Sequence, residues 1–168
     1  MRNGSGDEYF ILFNSVGAIL KGFAHESPMN PYANGLSEPW PGVIDSVPIE
    51  FQNFLNDPAF SIKDNTFCIW RKPGDSSWQT GKIDYPAGDD PDGSEELLFM
   101  LDGDASTYQE FAREYYEKEI DLSMVEHIYR IWQRKPPASA ARMNLPPLSL
   151  PSMGARRLLT ALLSRFII

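Results

Sequence analysis

Cysteine occurs once in the 168 residues, as Cys68, and histidine twice, as His25 and His127. One thiol excludes an internal disulfide framework and fits a reducing cytosol. Three Cys and His side chains, at spacings that match no zinc pattern, leave a Cys/His zinc site without its fourth ligand. Long apolar runs are missing: nothing approaches the roughly 18 residues that mark a membrane-spanning helix. The opening MRNGSGDEYFILFN has neither the apolar run nor the cleavage site of a signal peptide, and a cytoplasmic location is expected. The phosphate-cradling patterns G-x-x-x-x-G-K-[ST] and G-x-G-x-x-G are absent, as are H-E-x-x-H and G-x-S-x-G. No motif therefore announces a reaction, and no cofactor is expected.

Charge of one sign is missing from two stretches. Between Ile83 and Ala112 there is no lysine or arginine, only Asp84, Asp89, Asp90, Asp92, Glu95, Glu96, Asp102, Asp104 and Glu110. Residues 136–168 hold no acid, only Arg142, Arg156, Arg157 and Arg165. The formal charge of −8 thus conceals a body of −12 over residues 1–135 and a tail of +4. Such a body disfavours nucleic acid, whose phosphates need lysine and arginine, and attracts basic proteins.

What is present suits a globular domain. Ten Phe, seven Tyr and four Trp supply ample apolar area, and a chain of this length buries about 70% of its unfolded surface without disulfides or metal. Glu8 to Asn14 reads as a buried strand, with a turn at Ser15–Gly17 and a return strand over Ala18–Phe23 that Gly22 should weaken or bulge. Residues 28–41 form a proline-rich loop carrying Tyr32 and Trp40. Ser46 to Asn56 suggests a short helix capped by Ser46, with Phe51, Phe54 and Leu55 on one face. Asn65 to Trp70 is a further strand; Pro73-Gly74-Asp75 turns it, and Ser77–Tyr85 can pair back. This pairing puts Phe67 and Ile69 on one face, Cys68 and Trp70 on the other. A helix follows near Ser94–Leu101, then one over Thr107–Glu117 capped by Ser106, then Leu122–Arg134 capped by Asp121. Hairpins first and helices later predict an α+β fold, an antiparallel sheet from two or more hairpins packed by C-terminal helices on one face. The domain is expected to span residues 1–135. Residues 136–153, with five prolines, read as a linker. Residues 154–168 read as a basic amphipathic helix with a stripe of Leu158, Leu159, Leu162, Leu163, Phe166 and Ile167, docking on its own body or on a partner. The tail's abrupt loss of acids is also what an altered reading frame would leave.

Five sets of residues invite a chemical role. His25, Glu26 and Ser27 offer a base, an orienting carboxylate and a nucleophile, but neighbours on an extended chain point to opposite faces and triads assemble from distant segments. The plainer reading has His25 or Ser27 fixing the path of the loop backbone. Cys68, between Phe67 and Ile69, reads as a small core hydrophobe, with a Cys68–histidine pair as the alternative. His127 has no metal ligand three or four residues away and reads as a surface residue. The acids from Asp84 to Glu96 suggest a calcium loop, yet aligning Asp90, Asp92 and Gly93 with the EF-hand order puts Gly88 first and Phe99 twelfth, so both end ligands are lost. Glu95 and Glu96 suit the first turn of a helix. Trp40, Trp70, Trp78 and Tyr85 line either a ligand groove or, more simply, a core.

The segments GFAHESPM at 22–29, PWPGV at 39–43, CIWR and GDSSWQTG within 68–81, DDPDGSEELL at 89–98, and FAREYYE with VEHIY within 111–129 resemble a family of small acidic bacterial conserved hypothetical proteins. The resemblance covers roughly residues 6–133 and implies no activity. Small acidic bacterial domains also include toxin-neutralising immunity proteins, an analogy without matching motifs. The leading expectation is a binding protein in an immunity-like role, engaging a basic protein partner through Asp89, Asp90, Asp92, Glu95 and Glu96 with Trp40 or Trp78 as an apolar anchor. The alternative is a small hydrolase or transferase around His25 and Glu26 with Cys68 brought near.

Overall fold

A computed structural model describes residues 1–132; the expected linker and tail helix lie outside the described residues. The fold is α+β, with strands in the first half of the chain and the longer helices after them. Two compact units divide it, Met1–Leu97 and the part from Leu98 onward.

The first unit is built on a four-stranded antiparallel meander in the order β1 (Glu8–Asn14), β2 (Gly17–Phe23), β3 (Phe67–Arg71) and β4 (Gln79–Thr80). The register pairs Leu12 with Ile19, Ile19 with Trp70 and Lys21 with Cys68. One face of the sheet therefore carries Leu12, Ile19, Cys68 and Trp70, as strand alternation demands. Met29, Val43, Val47, Phe51 and Leu55, all from the long β2–β3 connection, close over that face. Each large apolar side chain buried there contributes about 1.5–3 kcal/mol. Within the connection the expected helix is shorter and differently started. A 3-10 turn over Ile49–Phe51 leads into α1 (Gln52–Leu55), and Pro48 precedes it without a side-chain cap.

Gly22 does not bulge the strand; it makes room. A Cβ there would lie 2.1 Å from Cζ of Phe67, so β2 and the Phe67 ring approach as only glycine permits. β4 is two residues long because the chain beyond it takes another partner. Gly42 comes so near Lys82 that a Cβ on it would sit 2.1 Å from the Lys82 carbonyl oxygen. The Trp40 indole N–H donates to the Asp84 carbonyl at 3.1 Å. The proline-rich loop thus holds the segment that the sequence assigns to a longer strand.

The run after Gly93 forms α2 (Ser94–Leu98) and then a 3-10 turn, Phe99–Asp102, ended by Gly103 at φ +81°. In the second unit, α3 (Ala105–Tyr116) is capped by Asp104, whose carboxylate accepts from the Ser106 amide. Ser106 is not the cap expected for it; its hydroxyl donates to the same Asp104 oxygen at 2.8 Å. α4 (Leu122–Trp132) starts at Asp121, which accepts from the Ser123 amide at 2.8 Å. The Gln109 side chain donates to the Ile120 carbonyl and closes the α3–α4 connection. Ala112 and Val125 are buried, whereas Tyr115 and Ile128 are exposed.

Candidate functional site

The acidic loop leading into α2 is fastened at its base. The Ser27 hydroxyl donates to the Pro91 carbonyl at 2.8 Å and accepts from the Met29 amide at 2.9 Å. The Thr66 hydroxyl donates to the Asp92 carbonyl and accepts from the Ala24 amide. Gly93 sits against Ala24 so closely that a Cβ would lie 2.2 Å from the alanine methyl. Residues 91–93 are therefore joined to the ends of β2 and β3 by two buried hydroxyls and one close backbone approach.

On that base the five singled-out acids divide. Asp90 turns inward: its two oxygens accept from the Glu95 and Glu96 amides at 3.1 and 3.0 Å, satisfying donors that a helix start leaves open. Asp92 accepts from the Ser94 amide at 2.9 Å, and burial pushes its carboxyl above the usual range. Asp89 and Glu96 are exposed, Glu95 is half-buried, and Asp84 is exposed beside them in sequence. None of these carboxylates is in an ion pair among the described residues. Further along, Asp102 and Asp104 also serve backbone and hydroxyl donors, while Glu110 is exposed. Among the described residues no three His, Cys, Asp or Glu side chains gather as metal ligands.

The His25–Glu26–Ser27 group has a different geometry from an extended chain. β2 ends at Phe23 and the backbone turns, so Nδ1 of His25 lies 3.0 Å from Oε1 of Glu26. Both side chains are open to water, at 55% and 95% exposure. The His25 amide donates to Asp7 and its carbonyl accepts from Asn30, which fixes the backbone here. The Ser27 hydroxyl is committed to Pro91 and Met29. Cys68 lies within the apolar cluster, and burial pushes its thiol up to about 12. An exposed imidazole and an enclosed thiol share no solvent-facing site. His127 is exposed on α4.

Trp40 packs its ring against the core cluster, and Tyr85 does likewise. Trp70 belongs to that cluster, and the Trp78 indole nitrogen is buried. The sequence did not point to two enclosed cations. Lys21 is 1% exposed on the core face, with its ammonium 4.9 Å from the Phe60 ring centroid and 5.7 Å from that of Phe54. Arg71 is 0% exposed at the end of β3. The signal for both was their place in GAILKGF and FCIWR, runs apolar on both faces, where any residue is drawn inside. No family model, curated protein or solved structure matches this chain.

Proposed function

We propose that this chain is a binding protein that presents the acidic loop 84–96 to a basic surface on another protein, in the cytosol of a bacterial cell and in an immunity-like role. The family resemblance of the sequence belongs to the same proposal. The observation that carries it is the division of labour in the loop. Asp90 and Asp92 spend their oxygens on the start of α2, and the fastened base leaves Asp84, Asp89, Glu95 and Glu96 without a cation among the described residues. A rigid array of unpaired charge needs little ordering when a partner arrives, and it acts on association rate and selectivity more than on affinity. Two such charges in water gain only about 1 kcal/mol per pair at 4 Å, so several must act together. The Trp40 ring packs on the core cluster and the Trp78 indole nitrogen is buried, so the charges rather than these anchors supply the recognition.

The test is a pull-down from bacterial lysate with the full chain. Changing Asp84, Asp89, Glu95 and Glu96 to the amides should abolish recovery of a basic partner, with Asp90 and Asp92 left in place so that the loop keeps its shape. Undiminished recovery would end the proposal. The contact of His25 with Glu26 favours a second reading, a hydrolase or transferase using His25 as base. Its discriminating measurement is turnover of generic ester and phosphoester substrates by the wild type and by His25→Ala.

A further inference from the structure

The dipeptide Asn-Gly occurs twice, at Asn3-Gly4 and Asn34-Gly35. In it the glycine nitrogen can attack the asparagine side-chain carbonyl carbon, because glycine carries no Cβ to obstruct the approach. The fold treats the two copies oppositely. Asn34 stands in a turn closed like the end of a helix. The Leu36 amide donates to the Pro31 carbonyl at 2.8 Å and the Gly35 amide to that of Tyr32 at 3.3 Å, with Gly35 at φ +64°. Nδ2 of Asn34 donates to the Pro28 and Asn30 carbonyls, both at 2.8 Å. The attacking nitrogen is thus engaged, and the nitrogen that would leave is held.

At Asn3 the bonds run the other way. Oδ1 accepts from the Ser5 amide at 3.0 Å and from the Asp7 amide at 2.9 Å. Nδ2 donates to Oδ2 of Asp7 at 2.7 Å. Exchanging the two ends of the side-chain amide would set its NH2 group against two N–H donors, so its orientation is determined. The bond to Ser5 folds the side chain back over the Gly4 peptide. Residues 3–6 are exposed, and a Cβ placed on Gly4 would meet nothing within 4 Å, so water reaches the site.

We propose that Asn3 is a self-modifying site, converted by its own surroundings to aspartate and isoaspartate, and that Asn34 is protected from the same reaction. The Gly4 nitrogen bonds to Cγ of Asn3, and negative charge moves onto Oδ1, where two amides already point as in an oxyanion hole. The Cγ–Nδ2 bond then breaks. Nδ2 leaves as ammonia with the proton given up by the Gly4 nitrogen, and the Asp7 carboxylate, in contact with Nδ2, carries that proton across. Water opens the resulting five-membered ring at either carbonyl, which leaves aspartate or isoaspartate. The new carboxylate repels that of Asp7, whose other oxygen accepts from the His25 amide at 2.8 Å, so conversion loosens the attachment of this turn to the end of β2. The site is separate from the acidic loop and does not depend on the function proposed for it.

The experiment incubates the full chain at neutral pH in heavy-oxygen water, native in one arm and unfolded in urea in the other. Peptide mapping by mass spectrometry follows both asparagines, and uptake of the label dates each conversion to the incubation. Folding should speed conversion of Asn3 by about tenfold or more and slow that of Asn34. Asp7→Ala should bring the native rate at Asn3 down to that of the unfolded chain. Continued protection of Asn34 in this variant shows that the first unit is still folded. The comparison of native with unfolded wild type needs no variant, so it decides the matter even where Asp7→Ala fails to fold. A native rate at Asn3 equal to or below the unfolded rate overturns the proposal. A fast native rate that survives Asp7→Ala overturns it as well, and so does native conversion of Asn34 as fast as that of Asn3.

Discussion

Lys21→Met should stabilise the first unit. Lys21 stands on the core face of β2, and its ammonium is out of water. Removing such an ion from solvent costs several kcal/mol even after relaxation. The compensation is thin. One contact reaches the Leu55 carbonyl at 3.4 Å, long for a hydrogen bond. Two ring faces, Phe60 at 4.9 Å and Phe54 at 5.7 Å, each return about 0.5–2 kcal/mol. Glu8, Asp57 and Asp64 attract the ammonium, but none forms an ion pair with it. Methionine keeps the length and flexibility of the stem without the charge, so a gain of about 1–3 kcal/mol at pH 7 is expected. The pH dependence checks the cause. Burial pulls Lys21 below its ordinary value, so between the folded and unfolded values the unfolded chain binds more protons. The wild type therefore gains stability as pH rises through that window, and the methionine variant does not. Urea unfolding followed by tryptophan fluorescence, at pH 7 and again at about pH 10, should show the methionine variant ahead at pH 7 and its lead narrowing at the higher pH. A variant less stable than wild type at pH 7, or a lead that does not narrow, refutes the reasoning.

Three other outcomes follow from named contacts. Gly22→Ala would drive a methyl into the Phe67 ring and should cost about 1–3 kcal/mol in urea unfolding, with much of the loss recovered by adding Phe67→Leu. Asp90→Ala removes the acceptor of two helix-start amides and should cost about 1 kcal/mol in the same assay. Asp104→Ala should lower the Tm of the second unit at neutral pH. The backbone N–H of Ser106 holds the Asp104 carboxyl below its ordinary range, so its contribution is present above the unfolded value and is lost as pH falls through the folded one; thermal unfolding by circular dichroism should show the two Tm values converge in acid.

The sheet was legible where side-chain chemistry is local. EYFILFN and FCIWR are strands because aromatic and β-branched residues fit a pleated surface, and the turns at Gly17 and Gly74 carry glycines at positive φ. The β3 alternation of Phe67 and Ile69 against Cys68 and Trp70 follows from the same geometry. The length of β4 was not legible, because Gly81–Asp84 is held by a loop some forty residues earlier. Cap assignment failed at Ser106 because Asp104, two residues before, is the stronger acceptor and takes both the amide and the hydroxyl of Ser106. The clustering of acids could be read directly, but the inward turn of Asp90 and Asp92 could not, since it depends on Ser27 and Thr66 pulling the loop down. Lys21 and Arg71 escaped notice because a cation on a strand is ordinarily taken to face water.

The most direct measurement of the acidic loop's role is the association rate of the captured basic partner with the wild type and with the variant carrying amides at 84, 89, 95 and 96, each at about 50 and 300 mM salt, a range over which screening becomes severe. If outward charge drives recognition, the wild-type rate falls steeply with salt and the variant's rate is low and nearly flat. Equal rates and equal salt dependence for the two proteins would contradict it.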